Sequence, residues 1–194
     1  RAGNPAGTYT DEFTIDKTAP QIEVSYNNNG YKNEKYYDAD RTATIKVTEH
    51  NFYVQDLAVN VTQNGVENTE YSDYLGNKEN WTQEGDVYTA EITFSEEADY
   101  TFEIVYSDPA GNPAEPYNAE FTIDKTTPQI SVTYNNNEYK NEKYYDDDRT
   151  ATITIIEENF NAADVKATIT ADGSEEIQYG DYLKKEESWK LTEE

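Results

Sequence analysis

The sequence predicts an all-β fold made of tandem β-sandwich repeats, and three observations carry that expectation. The first is duplication: FTIDKTAPQI at 13–22 returns as FTIDKTTPQI at 121–130, an offset of 108 positions. Aligning 2–86 with 110–194 without a gap gives 48 identities in 85 positions, so the likeness is a fixed period and not one shared motif. The second is strict alternation of apolar and polar residues over short stretches, the signature of half-buried strands. The third is punctuation by NNNG, TQNG, SEEAD and SDPAGNPAEP, which are rich in residues that favour turns.

A period of 108 residues is too long for a solenoid unit and close to the ~100 residues of an immunoglobulin-like sandwich. Six strands are legible within it. Ile22, Val24 and Tyr26 share one face, as do Ala43, Ile45 and Val47, and then Leu57, Val59 and Val61. Tyr88, Ala90, Ile92 and Phe94 follow, then Tyr100, Phe102, Ile104 and Tyr106, and last Tyr117, Ala119, Phe121 and Ile123. The KYYD region supplies a seventh. Ile45, Val47, Val59, Ile92, Phe102 and Ile104 are the expected core. No stretch sustains a helical period, and NFYVQD and NFNAAD each read as one turn at most.

FTID closes one repeat and QIEV or QISV opens the next, so KTAP and KTTP are joints. Pro20 and Pro128 fix φ and hold the preceding residue extended, which makes those joints short and stiff. Residues 1–17 read as the closing strand of a preceding repeat, 18–125 as a complete repeat, and 126–194 as an incomplete one. On this reading the chain is a piece of a longer array.

Composition narrows the function. Forty acidic residues against 15 basic ones give a net charge of −25, which repels nucleic acid and anionic membrane. The 18 Tyr, 6 Phe and 2 Trp argue for a folded chain despite that charge. Cysteine is absent, which excludes disulfides and thiolate chemistry. No apolar run approaches the ~20 residues that span a bilayer.

Enzyme chemistry finds no support. The single histidine, His50, is Glu158 in the second copy, and no serine or threonine sits in a nucleophile-elbow pattern. Calcium is the metal the acidic loops suit, through Asp38 and Asp40, Asp146 and Asp148, and Asp16 and Asp124 just before the joints. Asp108 and Asn112 of the DPAGN turn add further oxygens. A Lys–Asn crosslink would draw on Lys17 or Lys125 with Asn112. The binding candidates are tyrosines: Tyr31, Tyr36 and Tyr37 in NNNGYKNEKYYDAD, and Tyr139, Tyr144 and Tyr145 in NNNEYKNEKYYDDD. Tyrosine among Asn, Gly and Asp gives large contact area at low entropic cost. YSDYLGNKENW, ending in Trp81, is the second aromatic-rich loop.

DPAGNPA, the strand ending FTIDKT-P, and ENWTQEGDVYTAEITF together resemble bacterial Ig-like repeats of large secreted or wall-anchored proteins, especially of Gram-positive gut bacteria. The resemblance covers essentially the whole chain. It implies an extracellular, non-enzymatic adhesive module recognising a host protein, or else a stalk that holds another domain away from the cell wall. Some surface proteins with such repeats bind immunoglobulin variable regions as B-cell superantigens, which makes immunoglobulin the partner implied by analogy. No cofactor is implied beyond the calcium considered above.

Overall fold

The computed structural model describes residues 2–33, 35–141 and 143–192, which divide into two compact units, Arg1–Lys125 and Thr126–Glu194. The chain is predominantly β.

In the first unit, alternation becomes two sheets. One sheet runs β1 (Gln21–Tyr26), β3 (Arg41–Thr48), β7 (Val87–Phe94) and β6 (Thr82–Glu84) in that spatial order, every pair antiparallel. The other runs β2 (Tyr36–Tyr37), β9 (Tyr117–Ile123), β8 (Ala98–Val105), β4 (Ala58–Gln63) and β5 (Val66–Glu67), with β2 and β9 parallel. Successive residues of a strand face opposite ways, so in β3 Ala43, Ile45 and Val47 are fully buried while Lys46 is exposed. Phe94 of β7 lies 5.0 Å from Phe121 of β9 and 5.6 Å from Phe102 of β8, so the inner faces of both sheets meet in one core. Of the expected core residues, Val59 is half-buried against that core and the rest are within it.

All six legible strands form, and KYYD supplies β2. The turns follow their residues. Asn64 and Gly65 both take positive φ, 52° and 75°, as the two-residue turn joining β4 to β5 requires. Both NFYVQD and NFNAAD contain a single 3-10 turn, Val54–Asp56 and Ala162–Asp164.

The helix α1 (Thr69–Leu75) was not legible in the pattern. Asn68 caps it by accepting from the Glu70 N–H, Tyr71 stacks on Phe94 at 5.1 Å, and Leu75 is fully buried. Seven residues give a single inward i, i+4 pair, too little for a period to register.

The second unit repeats part of this design. β10 (Gln129–Tyr134) pairs with β11 (Ala151–Ile156) in the register of β1 with β3, shifted by one period. β12 (Thr170–Ala171) and β13 (Ser174–Glu175) form a hairpin before α2 (Ile177–Leu183). Among the described residues of this unit no strand stands in the places of β7, β8 and β9. Accordingly Ile130 and Val132 are exposed where Ile22 and Val24 are half-buried, and Ile153 and Ile155 are half-buried where Ile45 and Val47 are fully covered.

Candidate functional site

The stretch that precedes the first joint is fastened to the body that follows it. Asn112 donates a side-chain N–H to the Asp16 carbonyl at 3.3 Å. Asp16, Glu49 and Asp108 each bring a carboxylate oxygen within 4.8 Å of the other two. Glu49 follows the last residue of β3, where its backbone N–H reaches the Asp86 carbonyl and its Oε1 accepts from the Asn51 N–H at 2.8 Å. Asp108 sits in the turn after β8, which Gly111 closes at a φ of +88°. Its carboxylate accepts from the Asn112 backbone at 2.8 Å and from the Asn112 side chain at 2.7 Å.

Glu49 and Asp108 are both buried. Burial pushes the Asp108 carboxyl upward, but hydrogen bonds from Asn112 and from the Ala110 and Gly111 backbone outweigh it and hold the group below its ordinary value. Among the described residues, none of the recorded ion pairs gives these three acids a Lys or Arg partner. Three convergent carboxylates, two of them withdrawn from water, offer a hard all-oxygen set of the kind calcium takes. The residues fit that ion.

Asp38 and Asp40, expected to join Asp16, do not. Asp38 pairs with Lys32 at 3.0 Å and Asp40 with Lys125 at 3.0 Å, while Asp146 pairs with Lys140. Local lysines, two of them six residues away in the same loop, neutralise these carboxylates before any acidic neighbour reaches them. Asp124 serves β9 through its backbone N–H, which donates to the Tyr37 carbonyl at 2.9 Å, and Asp148 is exposed. Glu49 was missed altogether. Its signal was present: Glu49 recurs as Glu157 beside positions that diverge between the copies. The crosslink between Lys125 and Asn112 fails on placement, since Lys125 Nζ engages Asp40 and the Ser95 carbonyl while Asn112 engages Asp108 and Asp16.

The tyrosines separate. Tyr37 belongs to the core: 5% exposed, edge-on to Phe121 at 6.1 Å, with the Arg41 guanidinium 4.1 Å from its ring. It is no surface anchor, because in the two-residue strand β2 one of two adjacent side chains must face inward. Tyr36 is half-buried beside Lys35, and Tyr31 is 57% exposed with its edge on Tyr37 at 6.2 Å. In the second unit Tyr139 and Tyr144 are exposed and Tyr145 is half-buried. Trp81 plugs the core instead of facing outward. His50 is an exposed partner of Asp86 at 2.9 Å, and that hydrogen bond raises its pKa.

No protein-family model, characterised protein or solved structure matches the chain. No helix among the described residues is long and apolar enough to cross a membrane.

Proposed function

We propose that this chain is a non-enzymatic array module: tandem Ig-like sandwich repeats with a 108-residue period that act as a stalk on a bacterial surface. The observation that carries this reading is the bond from Asn112 to the Asp16 carbonyl, with the Asp16 carboxylate beside those of Glu49 and Asp108, which ties the stretch before a proline joint to the body after it. A joint held on both sides transmits orientation from one repeat to the next, as a spacer needs. Calcium held by Asp16, Glu49 and Asp108 supplies the positive charge that the cluster lacks and adds its binding energy to the stability of the joint. The test is calorimetry in millimolar calcium and in chelator. The melting temperature rises with calcium for the wild type and not for Asp16→Asn; equal melting temperatures in both buffers would refute the calcium joint.

A second reading rests on exposed Tyr31, Tyr139 and Tyr144 with half-buried Tyr36, pairs that recur one period apart on an acidic surface. On this reading the array is an adhesin that engages a host protein carrying basic residues, with immunoglobulin as the candidate that the family resemblance supplies. Capture from host secretions by the wild type but not by a Tyr31→Ser, Tyr139→Ser double variant supports it. Equal capture by both removes it.

A further inference from the structure

Two asparagines in the chain are followed by glycine, Asn29–Gly30 and Asn64–Gly65. Glycine has no side chain to shield its backbone nitrogen, so in both pairs that nitrogen is open to the carboxamide before it. The two pairs are held differently. In the turn joining β4 to β5, Asn64 donates its backbone N–H to the Asp99 carbonyl at 2.8 Å, and its Oδ1 accepts from the Asp99 N–H at 2.9 Å. These bonds hold the Asn64 carboxamide against β8, in a hairpin turn whose backbone is fixed at positive φ. Asn29 lies in the exposed loop after β1, where its Nδ2 donates to the Tyr26 carbonyl at 3.1 Å in a bond open to water. The Gly30 N–H donates to Asn28 Oδ1 at 3.1 Å, so an acceptor already sits on the nitrogen that must lose its proton to attack.

The second copy repeats this loop with one telling change. Asn137 Nδ2 donates to the Tyr134 carbonyl at 3.3 Å, and the Glu138 N–H donates to Asn136 Oδ1 at 3.1 Å. Glu138 thus replaces Gly30 within the same hydrogen-bond pattern. Gly30 is also absent from the residues at positive φ, so the loop does not need glycine for its shape. What Gly30 adds is an unshielded nitrogen beside Asn29.

We propose that Asn29 is a self-modification site, converting without an enzyme to aspartate and isoaspartate in the first repeat and not at the matching Asn137 of the second. The Gly30 nitrogen attacks Asn29 Cγ, forming a cyclic imide. The Cγ–Nδ2 bond breaks, and the amide leaves as ammonia with the proton that the Gly30 nitrogen gives up. Water then opens the imide. Addition at Cγ restores the ordinary backbone and leaves aspartate; addition at the Asn29 backbone carbonyl leaves the chain running through Cγ, as isoaspartate. Either product replaces the donor that faced the Tyr26 carbonyl with a carboxylate, so that bond is lost. Isoaspartate also lengthens the backbone between Asn28, whose carbonyl accepts from Arg41 Nε at 3.1 Å, and Tyr31, which lies edge-on to Tyr37. The reaction therefore loosens the loop that presents Tyr31 and marks the age of one repeat.

The test is incubation of the full chain in mildly alkaline buffer, followed by digestion and mass spectrometry of the peptides that carry Asn29, Asn64 and Asn137. Asn29 loses its amide with time and Asn137 keeps it. Gly30→Glu stops the loss, and Glu138→Gly starts it at Asn137; each variant installs the residue that the other copy already carries, so both fold. Asn64 reacts more slowly than Asn29 in the folded chain and draws level with it in urea, where the hairpin is gone. Three results would overturn the proposal. Asn29 could stay intact while the urea-unfolded chain reacts, Asn64 could keep pace with Asn29 in the folded chain, or Glu138→Gly could leave Asn137 inert.

Discussion

Trp81 donates its indole N–H to the Leu75 carbonyl over 2.7 Å, and Trp189 makes the same bond, also at 2.7 Å, to Leu183. In each copy the bond ties the residue that ends a short helix to the tryptophan six residues on, which in the first unit leads directly into β6. Phe52 rests on Trp81 at 5.2 Å and Phe160 on Trp189 at 5.0 Å. Trp81→Phe keeps most of the apolar volume and leaves the buried Leu75 carbonyl without its donor. The expected loss is about 1–3 kcal/mol by urea unfolding, with a smaller loss for Trp189→Phe, whose side chain is less enclosed.

Arg41 stabilises the first unit as a flat cation between rings. Arg41→Met keeps the stem and removes the guanidinium stack and the bond to the Asn28 carbonyl, for an expected cost of about 1–3 kcal/mol. At the exposed Arg149 the same change costs under about 0.5 kcal/mol, by the same unfolding measurement.

The carboxyl of Asp108 titrates below its unfolded value, so its stabilising effect is complete above about pH 4 and disappears as pH falls through the folded value. His50 works in the opposite sense: its raised pKa stabilises below about pH 6.5 and the effect is lost as pH rises past the folded value. Melting temperatures measured across this range fall at the acid end, and Asp108→Asn flattens that fall. His50→Gln flattens the decline on the neutral side.

The segment 126–194, expressed alone, lacks a cooperative thermal transition, because Ile130 and Val132 remain uncovered. The segment 18–125 melts cooperatively, and Phe102→Ala within it costs about 3–5 kcal/mol. A sharp calorimetric peak from 126–194 alone would contradict the assignment of the covering strands.

What the sequence made legible follows from how local each signal is. Strands such as Arg41–Thr48 carry four or more alternating positions, enough for the period to stand out. The helix at Thr69–Leu75 offers one inward pair, and its aromatic-polar composition also suits a loop. Tyr36 and Tyr37 were known to face opposite ways, but which one turns inward depends on pairing with Thr122 and Ile123, more than eighty residues on. Burial of Arg41, Glu49 and Asp108 was the hardest to foresee. Polar residues are placed at the surface by default, and only three-dimensional neighbours (an aromatic cage, a tight turn) reverse that.

The parallel pairing of β2 with β9 has a mechanical consequence. In a parallel pair, a pull that reaches Tyr36 from the N-terminal side and Ile123 from the C-terminal side acts along the strands in opposite directions. The bonds from Thr122 N–H to the Lys35 carbonyl and from Asp124 N–H to the Tyr37 carbonyl are then loaded together, in shear, instead of opening one after the other. Rupture requires both to fail at once, along with the packing of Phe121 beneath them. A pull that reaches this pair thus loads the closing strand in the direction in which that strand resists best.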